Sequence, residues 1–312
     1  MKRPIALGLA LAVALASTPS LAWNSRGHMI VAAVAWDQMT PAARLRADTL
    51  LKLNPSYTTW TRDVPAADRA KTAFVRAATW PDAIKSDPSY TNDGINDAGA
   101  TQNIGYQDKL RHKYWHYKDL AFSPDGTPIK TAPSPNAETQ ILTFSAALAA
   151  PGLSDDVKSY DLAWLLHLVG DVHQPLHATA RFTASLPKGD SGGNDVLVCP
   201  STMATCDASH NKALHSFWDG ALGTSDSPKS AFVKAGALAP APAAKAAIAD
   251  PGTWLEESLT VAKTSVYANP IGPDAGPYKL TARYEAVAGS YAEQRAALAG
   301  ARLANLLNGA LR

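Results

Sequence analysis

Residues 160–177 read Tyr160-Asp161-Leu162-Ala163-Trp164-Leu165-Leu166-His167-Leu168-Val169-Gly170-Asp171-Val172-His173-Gln174-Pro175-Leu176-His177. From Tyr160 to Val172 the apolar residues recur at helical spacing, which predicts a helix there. His167 and Asp171 stand four apart, so on a helix they share one face and can aim two ligands at a single metal ion. Pro175 should end that helix, letting the chain turn back and present His177 to a neighbouring centre.

The same periodicity extends outward in both directions. Met29 to Met39, Ala42 to Leu53 and Asn136 to Ala150 read as helices. Trp254, Leu255, Leu259, Ala262 and Val266 mark another, opened by Asp250-Pro251. A long amphipathic helix runs from Leu280, with Tyr284, Val287, Tyr291, Leu298, Leu303 and Leu306 as its apolar positions. Alanine makes up about a fifth of the chain, which favours helix and lets helices approach closely. Strand signals are confined to Val196-Leu197-Val198 and Lys113 to Tyr117. Residues 87–107 and 182–209 read as long loops, and loops of that length in a compact helical protein are usually functional. The Ala/Pro tract from Ala237 to Ala249 reads as a surface connection with a short helix. The expected fold class is all-α, one mainly helical domain over residues 23–312, with long functional loops.

Composition narrows the function classes. The chain has 312 residues, 46% hydrophobic and 18% charged, enough for a large core and too apolar for disorder. Its 29 Lys+Arg against 27 Asp+Glu give a net charge of +2, so no global basic field of the kind that holds nucleic acid is visible. Residues 1–22 carry Lys2 and Arg3, an apolar run from Ile5 to Ala16, Pro19 and a Ser20-Leu21-Ala22 ending, the pattern of a secretory signal cleaved after Ala22. The apolar run is short of the roughly 20 residues a membrane span needs. Cleavage would export the chain to the periplasm or the exterior, expose the α-amino group of Trp23 and remove both excess positive charges. Cys199 and Cys206 lie seven apart; in an exported chain they form a disulfide across a short loop or, less simply, half of a two-Cys metal site.

Histidine carries most of the chemistry. Five of eight, His28, His116, His167, His177 and His215, stand among carboxylates, and His215-Ser-Phe-Trp-Asp219 repeats the His-x-x-x-Asp spacing of His167 and Asp171. One such pair is common by chance; two with further histidines point to metal. Nitrogen and oxygen ligands without thiolates suit zinc. Asp82, in Thr79-Trp80-Pro81-Asp82, sits in the first turn of a helix opened by proline, where a carboxylate also suits the helix dipole. His112, His173 and His210 read as structural.

In order along the chain, Trp23, His28, Asp82, His116, His167 with Asp171, the run Gly170 to His177, Gly192-Gly193-Asn194, and His215 with Asp219 resemble the ligand pattern of the S1/P1 nucleases. These are secreted three-zinc enzymes that cleave single-stranded nucleic acids and share a fold with zinc-dependent phospholipases C. The resemblance implies three Zn²⁺ per chain. One would be held by Asp82, His116 and His167, with Asp171 bridging to a second held by the amine and carbonyl of Trp23 and by His28. The third would take His177, His215 and Asp219.

The reaction implied is hydrolysis of single-stranded DNA and RNA to 5′-phosphate products, with 3′-nucleotidase activity on 3′-nucleotides. A zinc-activated water would attack phosphorus in line, with Lys85 offsetting charge on the phosphoryl oxygens. Tyr117 would stack a base, Asp119 would accept from base N–H groups and Asn194 would complete the pocket, with Lys118 facing solvent between them. No stable protein partner and no membrane span are implied, and the chain is expected to act as a monomer. A phospholipase C on the same scaffold would usually carry Glu at Asp219 and leave Tyr117 and Asp119 without purpose. A non-catalytic zinc-binding protein would have no need of Lys85, Tyr117 or Asp119. Three Zn²⁺ set against three carboxylates would concentrate positive charge in one cleft of an otherwise neutral chain.

Overall fold

The computed structural model describes residues 23–207 and 210–312, so the signal read in residues 1–22 lies outside the described residues. The first half of the chain forms α1 (Ser25–Gln38), α2 (Pro41–Leu51), α3 (Tyr57–Thr61), α4 (Arg69–Ala77), the single turn α5 (Trp80–Ala83), β1 (Leu120–Phe122), α6 (Ala137–Ala149) and α7 (Asp155–Asp171). Then follow β2 (Thr179–Arg181), β3 (Leu197–Cys199), β4 (Lys212–Ala213), α8 (Leu214–Asp219), α9 (Pro228–Ala237), α10 (Ala243–Ala246), α11 (Pro251–Val261), β5 (Tyr278–Lys279) and α12 (Ala282–Ala310). The architecture is all-α as expected; the sheets among the described residues are a parallel pair β1-β2 and a small sheet ordered β4-β3-β5.

α7 is the axis of the molecule. Ser154 caps it by accepting from the Val157 N–H, Asp155 and Asp156 complement the dipole in its first turn, and every residue from Ser159 to Asp171 is buried. It begins five residues earlier than the periodicity suggested, because its first turn is mostly charged, with Val157 as its single apolar residue, and lies outside the buried stretch. It also stops at Asp171, short of Pro175, which instead opens a 3₁₀ turn over Pro175–Ala178. The other helices packed against it include α1, α2, α6 and α12. Trp80, Tyr106, Trp115, Phe144, Tyr160 and Trp164 interlock, mostly edge to face, around its middle.

Capping signals place other boundaries closely. Asn136 caps α6 with a reciprocal capping box to Thr139, and Asp250 accepts from Gly252 and Thr253 at the start of α11. The strand read at Val196 to Val198 appears as β3, one residue later. The strand read at Lys113 to Tyr117 does not form: Lys113–His116 is a 3₁₀ turn in which Tyr114, Trp115 and His116 are all buried. A strand would have sent alternate residues to opposite faces. Cys199 and Cys206 are joined as a disulfide.

His112 is structural, as read: its two ring nitrogens lie 2.8 Å from Asp93 and Asp108, and its ring stacks on Trp115 with centroids 3.6 Å apart. It thereby closes the long loop that precedes it. Asp161 poses a different problem on α7. It accepts from Asn103 at 3.1 Å, but its second oxygen is buried without a partner, and burial pushes its carboxyl up to about 7. An acid whose folded-state value is raised holds its proton more tightly when folded, so stability falls as pH rises from about 4 to about 7. Asp161→Asn keeps an acceptor for Asn103 and removes the buried charge. Thermal or urea unfolding should show this variant about 1–3 kcal/mol more stable than wild type at pH 8, the gap closing near pH 4. A less stable Asn variant at pH 8 would refute this reading.

Candidate metal centre

Three groups of histidine and aspartate gather at the C-terminal end of α7: His28, His167 and Asp171; Asp82, His116 and His167; and His177, His215 and Asp219. In each, one potential ligand atom per residue lies within 4.8 Å of the others. Local structure explains how residues so far apart in sequence converge. His28 lies in the first turn of α1, which Asn24 caps by accepting from Gly27. Asp82 enters on α5, whose first turn holds Pro81. His116 ends the 3₁₀ turn after His112. His177 comes from the turn opened by Pro175, and His215 with Asp219 from α8.

Asp171 stands between two of the groups. One carboxylate oxygen faces His28 Nε2 at 3.3 Å; the other is 3.2 Å from both His116 Nδ1 and His167 Nε2. The His28 and His167 rings stack with centroids 3.8 Å apart. That contact needs Gly170, since a Cβ there would come within 3.0 Å of His28 Nδ1. Trp23 is fully buried in the same corner, and the Asn24 N–H donates to the Asp219 carbonyl at 3.3 Å, tying the start of the described chain to the third group.

The donor chemistry fits cations. His177 Nδ1 donates to the His116 carbonyl at 2.8 Å and His215 Nδ1 to the Gly192 carbonyl at 2.7 Å. Each neutral ring therefore has a bare Nε2, and these two lone pairs face each other at 2.9 Å, with Asp219 3.6 Å from one of them. Such an arrangement is repulsive without a positive charge between the rings. His167 is fixed in the same way, Nδ1 to the Ala78 carbonyl at 2.7 Å, which turns its Nε2 toward His116 and Asp171. Both nitrogens of His28, Nε2 of His116 and one oxygen of Asp171 are buried without hydrogen-bond partners.

Electrostatics point the same way. Burial lowers His28 to about 4 and His116 to about 3, and it holds His177 and His215 below the usual histidine range. Those four rings are thus neutral, the form that ligates. Burial pushes Asp82 up, but Lys85, His167 and His116 outweigh it and hold the carboxyl well below its ordinary value. Burial raises Asp219 far above the carboxylate range, as expected of a buried acid awaiting positive charge.

A cleft of about 330 Å³ opens on the centre, lined by Lys85, Lys113, His116, Tyr117, Asp119, Leu176, His177, Ser191, Gly192, Asn194 and His215. Lys85 lies 2.7 Å from Asp82 and is buried; Tyr117 is 39% exposed and lines the cleft. Burial, with Asp190 behind it, pushes Asp119 up to about 7. Ser191, Gly192 and Gly193 all have positive φ, and a Cβ at Gly192 would meet the Leu176 carbonyl at 2.6 Å. The turn therefore requires glycine there to deliver its carbonyl to His215 and Asn194 to the rim. Lys118, read as facing solvent, is part-buried: its ammonium pairs with Glu138 and its backbone N–H donates to the His177 carbonyl at 2.9 Å.

Sequence reasoning missed the residues behind the ligands. Gln174 donates to Asp219 at 2.6 Å. Arg295 donates to the His173 carbonyl at 3.1 Å, Arg302 binds His173 Nε2 at 2.9 Å, and both pair with Glu257. Ser258 donates to the Val172 carbonyl at 2.6 Å, so residues 172–174, between Asp171 and His177, are held from beneath. Arg295 and Arg302 sit seven apart, on one face of an Ala/Leu-rich helix. Two charges on a buried stripe are themselves a signal that a partner must exist.

A search of curated proteins found no match. The family model described as S1/P1 Nuclease matches residues 23–312. With a match over nearly the whole chain and three His/Asp groups beside one cleft, the protein belongs to the S1/P1 nuclease family, the zinc-dependent hydrolytic nucleases.

Proposed function

We propose that this nuclease is an exported monomer holding three Zn²⁺ that hydrolyses single-stranded DNA and RNA to 5′-phosphates and also acts on 3′-nucleotides. The observation that carries the reading is the meeting of three nitrogen-and-carboxylate groups with a cleft that holds one exposed aromatic face and one buried lysine. Asp82, His116 and His167 would hold one ion; Trp23 and His28 a second, with Asp171 shared between them; His177, His215 and Asp219 the third. When bound, zinc supplies Lewis acidity, acidifying water and offsetting charge on the phosphoryl and departing oxygens.

The remaining chemistry belongs to the chain. Lys85, fixed by Asp82, places an ammonium at the cleft to counter charge growing on the phosphoryl oxygens. Tyr117 stacks a base for about 1–3 kcal/mol, with little choice of sequence. Asp119 when ionised accepts from base N–H groups, and Asn194 closes the opposite rim. Duplex DNA hides both faces of its bases, so a stacking pocket favours single strands. Export is supported by the Ser20-Leu21-Ala22 ending and the disulfide, and no helix among the described residues is long and apolar enough to cross a membrane.

The test is a parallel assay on single-stranded DNA, RNA, duplex DNA, a 3′-nucleotide and phosphatidylcholine, with and without chelator. The expected result is chelator-sensitive cleavage of the first two and of the 3′-nucleotide, with duplex slower by an order of magnitude or more. Preference for phosphatidylcholine or for duplex would overturn it.

A further inference from the structure

Among the described residues, two lysines line the cleft, Lys85 and Lys113. Lys113 starts the 3₁₀ turn that His116 ends, and in such a turn side chains three apart lie one above the other. Its side chain is exposed and lines the same cleft as His116. The two other cations of this segment are occupied. Lys109 lies over the Tyr90 ring at 5.0 Å, and Arg111 donates to the Asp87 carbonyl at 3.0 Å. Lys85 is committed to Asp82. Among the described residues lining the cleft, Lys113 is the remaining cation without a hydrogen bond or ion pair.

A cleft of about 330 Å³ is at the lower end of ligand pockets and takes about one nucleotide. A polynucleotide must therefore leave it, carrying its next phosphate across the rim. Of the groups lining the cleft, the carboxylate of Asp119 repels a phosphate and the ammonium of Lys113 attracts one. We propose that Lys113 is a second phosphate-binding position that holds the phosphate next to the scissile one, giving preference for chains over minimal substrates. This rests on the nuclease reading above and adds a subsite to it.

The experiment compares wild type, Lys113→Ala and Lys113→Arg on a short single-stranded oligodeoxynucleotide and on a dinucleoside monophosphate, whose only phosphate is the scissile one. Lys113→Ala should raise KM for the oligonucleotide about three- to tenfold at low salt with kcat unchanged. It should also lower the slope of log affinity against log salt by about 0.7 and leave the dinucleotide unaffected. Lys113→Arg should retain wild-type behaviour. Replacing one flanking phosphate by a neutral methylphosphonate should cost wild type the same factor and Lys113→Ala nothing further, the non-additivity expected of a direct contact. Equal losses on both substrates, no loss on either, or additive losses would overturn the subsite while leaving the nuclease reading intact. A wild-type enzyme that cleaves neither substrate would overturn both.

Discussion

Asp171→Ala is expected to leave the protein with one bound zinc in place of the three proposed for wild type, and to lower single-strand cleavage by at least about 10³-fold. The expectation follows from where the two carboxylate oxygens point: one to His28, the other to His116 and His167. A carboxylate so placed would serve two ions, and its loss would leave His28 without its carboxylate partner and His116 and His167 with Asp82 alone. His177, His215 and Asp219 do not depend on it for their geometry, so the third ion should remain. Asp171→Asn, which keeps size and one acceptor, separates ligation from packing: it should match Ala in metal count while, with metal stripped from both, unfolding close to the temperature of metal-free wild type. Native mass spectrometry reads the count directly, and loss of a single ion from either variant would contradict sharing.

The second large effect concerns the chain terminus. If the Trp23 amine is a ligand, one extra residue before it converts that amine to an amide, whose nitrogen is a poor donor. A chain bearing an added glycine before Trp23 should bind two zinc ions and lose at least about a hundredfold in activity. Trp23 is fully buried and Asn24 is tied to the Asp219 carbonyl and to the first turn of α1, so the main chain at this point is held beside His28. Restoring the Trp23 terminus by specific proteolysis should restore both metal and activity. Full activity in the extended chain would remove Trp23 from the ligand set.

What could be read from sequence, and what could not, follows from the range of each interaction. Local signals were legible: the caps at Asn136 and Asp250, the proline-opened turn at Asp82, and the His-x-x-x-Asp pairs that lie on α7 and α8. Where local and tertiary preferences disagreed, the sequence misled. The aromatic run Tyr114-Trp115-His116-Tyr117 looks like a strand by composition. Trp115 packs on Trp164 while His116 reaches His167, and the 3₁₀ turn places both consecutive side chains against α7. The polar first turn of α7 lacked periodicity, yet Ser154, Asp155 and Asp156 were a start signal in plain view. The support beneath residues 172–174 was not legible, because Glu257, Arg295 and Arg302 meet His173 only through the packing of α11 and α12. The candidate ligands emerged as a set from their order along the chain, by resemblance; no single spacing would have joined His28 to Asp171.

The central claim is that three cations share this one corner of the fold. Zinc-edge anomalous diffraction from crystals of the chain beginning at Trp23, with the metal content of the same sample counted, tests it most directly. Three peaks are expected, two of them flanking Asp171 and one between His177, His215 and Asp219. One peak or none, or ions seated away from these residues, would contradict it.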